Sequence, residues 1–65
     1  MEVIYPAIAR WMQEQGHSYN SLGRFLDVAP STVYRVLTGM QEPRKKFIDK
    51  LLAATGMKYE IAFGR

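Results

Sequence analysis

An all-α domain, four short helices followed by a short C-terminal β-strand, is the fold class that this sequence predicts. Three observations carry the prediction. Apolar residues recur three and four positions apart in four separate runs, which is the helical period. Each run closes on a residue suited to a turn, namely Gly16, Asp27, Gly39 and Gly56. Only residues 57–63 change period, to the two-residue alternation of a half-buried strand.

The first helix is expected over residues 4–15, with Ile4, Ile8, Trp11 and Met12 on one face and Val3 and Ala7 beside them. Pro6 suits the first turn, where its missing N–H has no helical partner to lose. Gly16 then supplies a left-handed cap. In the second helix Ser18 offers a capping oxygen, and Leu22, Phe25 and Leu26 form one buried face. Asp27 takes the turn after it, as one of the few non-glycine residues that tolerate positive φ.

Pro30 opens the third helix, over residues 30–38, with Val33, Val36 and Leu37 inward. Ser31, Thr32, Tyr34, Arg35 and Thr38 point elsewhere. A loop containing Glu42 and Pro43 leads to a fourth helix over residues 44–55, whose apolar face is Phe47, Ile48, Leu51 and Leu52. In the tail, Tyr59, Ile61 and Phe63 alternate with Lys58, Glu60 and Ala62, which reads as a strand over residues 58–63.

Composition narrows the chemistry. Hydrophobic residues make 48% of the 65 and charged residues 23%, the balance of a folded domain rather than a disordered chain. A domain this small is marginal without a disulfide, a metal or a partner chain. There is no cysteine and only one histidine, so neither disulfides nor a protein-only zinc site is expected, and no cofactor is implied. Helix packing and self-association remain. No apolar run approaches the roughly 20 residues that span a bilayer. The opening Met-Glu-Val-Ile-Tyr-Pro lacks the pattern of a secretion signal, so a cytoplasmic location is expected.

The net charge of +3 is unevenly spread. Residues 1–30 hold two basic and three acidic side chains, whereas residues 31–65 hold seven and three. A basic half points to a polyanionic partner.

Residues 18–39 carry the most specific pattern. Two short helices meeting near a right angle need apolar inner faces, a very small residue at their closest approach and an apolar plug in the turn. Leu22 and Leu26, Gly23, Val28, and Val33 with Val36 meet each requirement in order. The run from Leu22 to Gly39 resembles the lambda-repressor-like, or Xre/Cro-type, helix-turn-helix regulators from end to end. The segment Ser31-Thr32-Val33 with Arg35-Val36-Leu37 is also similar to the recognition helix of lac-repressor-type proteins. The resemblance covers all four helices. It departs at Asp27, where the family usually has glycine, and at Tyr19, where it often has a phosphate-binding glutamine.

The resemblance implies double-stranded DNA as partner and the third helix as the reading element. The N-terminal residues of such a helix reach base edges in the major groove. Here those are Pro30, Ser31, Thr32, Tyr34 and Arg35. Arg35 is the candidate for a bidentate bond to guanine. Phosphate contacts are expected from Ser18, Tyr19, Asn20 and Ser21 at the start of the second helix and from Thr38 at the end of the third. Arg44, Lys45 and Lys46, with Lys50 nearby, open the fourth helix, the region that lies against the DNA backbone in the family. Their charges oppose the positive end of the helix dipole, a penalty that a phosphate would relieve. His17 is expected to be an exposed turn residue. Trp11 and the methionines are read as core or interface. No nucleophile–base pair, phosphate-binding glycine loop or carboxylate dyad occurs, so an enzyme is not expected.

A lone strand cannot satisfy its own backbone groups. Lys58, Tyr59, Glu60, Ile61, Ala62 and Phe63 are therefore expected to pair with the same strand of a second copy about a two-fold axis. HipB-type antitoxins look similar in this respect. A dimer would set two reading helices about 34 Å apart over a pseudo-palindrome. Three functions stay open. A dimeric repressor leads, because a chain this short has no room for a ligand-sensing or activation domain; phage and mobile-element regulators of the Cro kind are of similar size. An antitoxin-type module that holds a toxin protein and autoregulates its operon is the alternative, and an apolar surface on the first helix or the tail would favour it. An architectural or RNA-binding domain is the third, and it would ignore DNA sequence.

Overall fold

The computed structural model describes residues 2–64 and resolves them into α1 (Pro6–Gln15), α2 (Tyr19–Leu26), α3 (Pro30–Leu37), α4 (Lys45–Thr55) and α5 (Tyr59–Ala62). Helix α1 starts two residues later than its apolar spacing suggests. Pro6 fixes the first turn, and Tyr5 stays extended as the N-cap with its side chain buried. The Ile4 N–H instead donates to the Leu37 carbonyl at 2.8 Å, tying the entering chain to the end of α3.

Helices α1 and α2 end in the same way. At Gly16 (φ 71°), the N–H groups of Gly16 and His17 donate to the carbonyls of Gln13 and Met12. At Asp27 (φ 57°), those of Asp27 and Val28 donate to Arg24 and Gly23. Both are Schellman closures, which satisfy carbonyls that the helix leaves unpaired. The start of α2 is closed as firmly. Ser18 Oγ accepts from the Ser21 N–H at 3.1 Å, and Ser21 Oγ accepts from the Ser18 N–H at 2.8 Å. This is a reciprocal capping box built from two serines.

The core is one apolar cluster. Ile8 and Met12, Leu22 and Leu26, Val33, Val36 and Leu37, Phe47 and Leu51, and Ala62 meet there with Tyr5. No polar side chain is buried among the described residues. Each large side chain so buried contributes roughly 1.5–3 kcal/mol, an amount a domain this small needs from nearly every core position. Phe25 departs from expectation: it is 58% exposed. Leu22 and Leu26 already fill the inner face of an eight-residue helix, so Phe25 turns outward onto Trp11 and His17, at centroid distances of 6.4 and 5.2 Å.

The C-terminal strand is not formed. Residues 58–63 make a short helical turn instead, with Lys58 as N-cap, Tyr59, Glu60, Ile61 and Ala62 helical, and Phe63 at the C-cap. Two physical facts explain it. The N–H groups of Ile61 and Ala62 donate to the Lys58 carbonyl, and that of Phe63 to Tyr59, so the segment satisfies its own backbone and needs no second strand. The side chains that pack are also spaced for a helix. Ala62 is fully buried, Phe63 meets Tyr5 edge-to-face at 5.1 Å, and Ile61, on the expected inner face, is 57% exposed. The expectation of strand exchange between subunits, with its HipB-like comparison, falls with the strand. Helix α5 packs against α1 and α4 and adds Ala62 to the core.

Candidate nucleic-acid interface

The corner between α2 and α3 positions everything else. Gly23 is buried, and a Cβ added there would stand 2.7 Å from the Val28 carbonyl oxygen and 3.2 Å from the Pro30 backbone. Asp27 in the left-handed region turns the chain, Val28 is half-buried at the corner, and Pro30 takes the first position of α3. The Ala29 carbonyl then accepts from the N–H groups of Thr32 and Val33 at 2.9 and 3.2 Å, which starts the helix cleanly.

Burial of Val33, Val36 and Leu37 forces the opposite side of α3 outward. Pro30, Ser31, Tyr34 and Arg35 are exposed, and Thr32 is half-buried. Ser31, Thr32 and Arg35 have no side-chain hydrogen bond or ion pair among the described residues. Thr38 is different: its hydroxyl donates to the Tyr34 carbonyl at 2.7 Å, where it serves the helix end.

The start of α2 lies beside the start of α3, and between them Ser18, Tyr19, Asn20, Pro30, Ser31 and Tyr34 line a shallow open groove. The four α2 candidates are not equivalent. Asn20 is exposed and has no partner among the described residues. Ser18 uses a lone pair in the capping box, which leaves its proton available. Ser21 accepts from the Ser18 N–H and has its own hydroxyl against the Ser18 carbonyl and His17 Nδ1, at 3.3 and 3.0 Å. The Tyr19 hydroxyl donates to the Glu2 carbonyl, and its ring stands edge-to-face on Tyr34, centroids 5.2 Å apart. Burial first, then the neighbouring Tyr34 and Glu2, raise the Tyr19 hydroxyl above the usual tyrosine value, against the hydrogen bond to the Glu2 backbone, which lowers it.

On the other side of α3, Arg44 and Lys46 line a second pocket with Thr32, Val36, Gln41 and Phe47. Arg44 is the N-cap of α4. Arg44 and Lys46 are without an internal ion pair among the described residues, whereas Lys45 faces Asp49 at 3.3 Å one turn on. Lys50 reaches across to the same corner, its Nζ donating to the Asp27 carbonyl at 3.2 Å.

The structure therefore brings Pro30, Ser31, Tyr34 and Arg35 onto one exposed strip with Thr32 half-buried at its edge, Asn20 and Ser18 on one flank and Arg44 and Lys46 on the other. Three features were missed from sequence. His17 is half-buried and stacked on Trp11 at 5.1 Å; Lys50 braces the corner; and Tyr19 pairs with Tyr34. Each depends on residues of separate segments of the chain, for which periodicity carries no signal. Among the described residues no helix is long and apolar enough to cross a membrane, and no group of three metal-ligating side chains is assembled.

Comparison with known proteins places a family model described as helix-turn-helix on residues 8–61, from α1 into α5. Neither the curated proteins nor the solved structures yield a match.

Proposed function

The chain belongs to the helix-turn-helix family of Xre and lambda-repressor-like DNA-binding transcription regulators, and from that membership we propose that it is a sequence-specific repressor. The observation that carries the reading is the two-sidedness of α3. Its apolar side is fully buried, and Ser31, Thr32 and Arg35 on the other side have no protein partner among the described residues. A major groove admits one such helix. Arg35 is the guanine reader, Ser31 and Thr32 reach neighbouring base edges or a thymine methyl, and Pro30 and Tyr34 border them.

Asn20 and Ser18 at one end, and Arg44 and Lys46 at the other, hold the sugar-phosphate backbone. A phosphate beside α4 relieves the clash of three cations with the positive end of its dipole. Lys45 contributes less, being paired with Asp49. Ser21 and Thr38 act chiefly by closing their helices, and Tyr19 has already donated its proton. Occupying a promoter is sufficient to repress; the site of action is the cytoplasm, with the DNA.

The same reading holds that the protein acts as a homodimer. Met40, Tyr59 and Ile61 leave apolar surface exposed, and a two-fold pair of reading helices matches a pseudo-palindrome. Selection of bound duplexes from a random pool tests both points. Expected is an enriched pseudo-palindrome whose half-sites are one helical turn apart, bound roughly 10³-fold or more above bulk DNA. Enrichment of no sequence would contradict the proposal.

A second reading is favoured by one observation, the exposure of Tyr59 and Ile61 in the tail together with Phe25. An antitoxin-type module would use such side chains to hold a toxin protein. Copurification with a protein that shields them, leaving α3 free for DNA, distinguishes it.

A further inference from the structure

We infer that Tyr19 is a positioning residue for base preference: its ring, anchored at the start of α2, sets the direction in which Tyr34 leaves the reading helix. The inference rests on the DNA-reading proposal above and adds a residue that acts through another.

Tyr19 is held at two points. Its hydroxyl donates to the Glu2 carbonyl, and its ring meets Tyr34 with planes at 88° and centroids 5.2 Å apart. Tyr34 has no comparable anchor. It is 46% exposed, and its ring contacts no other aromatic ring among the described residues. Its hydroxyl has no hydrogen bond among them. An exposed tyrosine otherwise samples several staggered rotamers. An edge-to-face contact favours one of them by roughly twofold to tenfold.

Both rings line the shallow groove with Ser18, Asn20, Pro30 and Ser31. Tyr34 therefore meets a duplex from a direction that Tyr19 has fixed, and the extended N-terminal segment takes part through the Glu2 carbonyl. The donated proton also explains why Tyr19 holds its neighbour and does not itself grip a phosphate, which needs a donor.

The test is selection from a random duplex pool with the full chain, as wild type, Y19L, Y19F and Y34L. Y19L is expected to flatten preference at one base step by roughly twofold to tenfold, the size of the restraint it removes, with the salt slope of affinity unchanged. Y19F keeps the ring but loses its anchor on the Glu2 carbonyl, and is expected to lose less preference than Y19L. Adding Y19L to Y34L changes nothing further, because the effect passes through Tyr34. A merely structural Tyr19 would lower affinity evenly for all sequences, and that result overturns the inference, as does equal loss of preference in Y19F and Y19L. Should Y19L not fold, cross-relaxation between the two ring systems of the wild-type protein in its DNA complex decides: its presence supports the pairing and its absence overturns it. A wild type that selects no sequence removes the parent reading instead, a result distinct from normal selection that Y19L leaves untouched.

Discussion

Val28 and Gly23 meet twice through their main chains: the Val28 N–H donates to the Gly23 carbonyl at 2.8 Å, and the Val28 carbonyl oxygen lies 2.7 Å from where a Cβ on residue 23 would stand. The first contact closes α2. The second sets how near α3 approaches, because the Pro30 backbone stands just behind it at 3.2 Å. Backbone on both sides cannot rotate away as a side chain would. Gly23→Leu is therefore expected to lower stability by at least about 1–3 kcal/mol, the scale of overpacking in a close-packed site. In a domain of this size each kcal/mol moves the thermal midpoint by about 4–8 °C. A melting curve followed by circular dichroism checks it. An unchanged midpoint would mean that the corner yields freely.

Asp27 makes the opposite prediction. It is the one described non-glycine residue with positive φ, at 57°, and its side chain has no hydrogen bond or ion pair among the described residues. The left-handed conformation costs most L-residues about 1–2 kcal/mol, less for aspartate and nothing for glycine. Asp27→Gly should raise stability by about 0.5–1 kcal/mol, since the Lys50 bond goes to the main-chain carbonyl and survives. Asp27→Val should lower it. Chemical denaturation with an unchanged slope separates the two.

The helical part of this fold was readable because its signals are local. Ser18, Pro30 and Gly56 mark element ends through chemistry that acts within one turn, and the spacing of Val33, Val36 and Leu37 marks a face. The tail carries two readings because its five residues, Tyr59 to Phe63, fit both periods. Tyr59, Ile61 and Phe63 alternate, whereas Tyr59, Ala62 and Phe63 follow helical spacing. Burial of Ala62 and the Tyr5–Phe63 contact decide between them, and both are tertiary. The exposed strip on α3 followed from periodicity alone. The division of labour at the start of α2 did not, because it depends on Glu2 and Tyr34 arriving from elsewhere.

Arg35 and Arg44 should fail in different ways. Arg35→Ala removes the base reader and is expected to cost about 1–3 kcal/mol on the selected duplex, relaxing preference at one position. Arg44→Ala should weaken every duplex alike and flatten the salt dependence by about one unit of slope. Lys45→Ala should do less than Arg44→Ala, because Lys45 is engaged with Asp49. Titrations of matched and scrambled duplexes at several salt concentrations report both quantities. Identical losses for Arg35→Ala and Arg44→Ala on all sequences would refute the assignment of roles.

The claim beneath all of this is that the exposed side of α3 is the surface that enters DNA. Amide and side-chain chemical shifts recorded while the labelled protein is titrated with its selected duplex test it most directly. The largest changes should fall on Ser31, Thr32, Tyr34 and Arg35, flanked by Asn20 and Arg44, with Ile61 and the Trp11 indole unmoved. Changes centred on α1 and α5, with α3 silent, would contradict it.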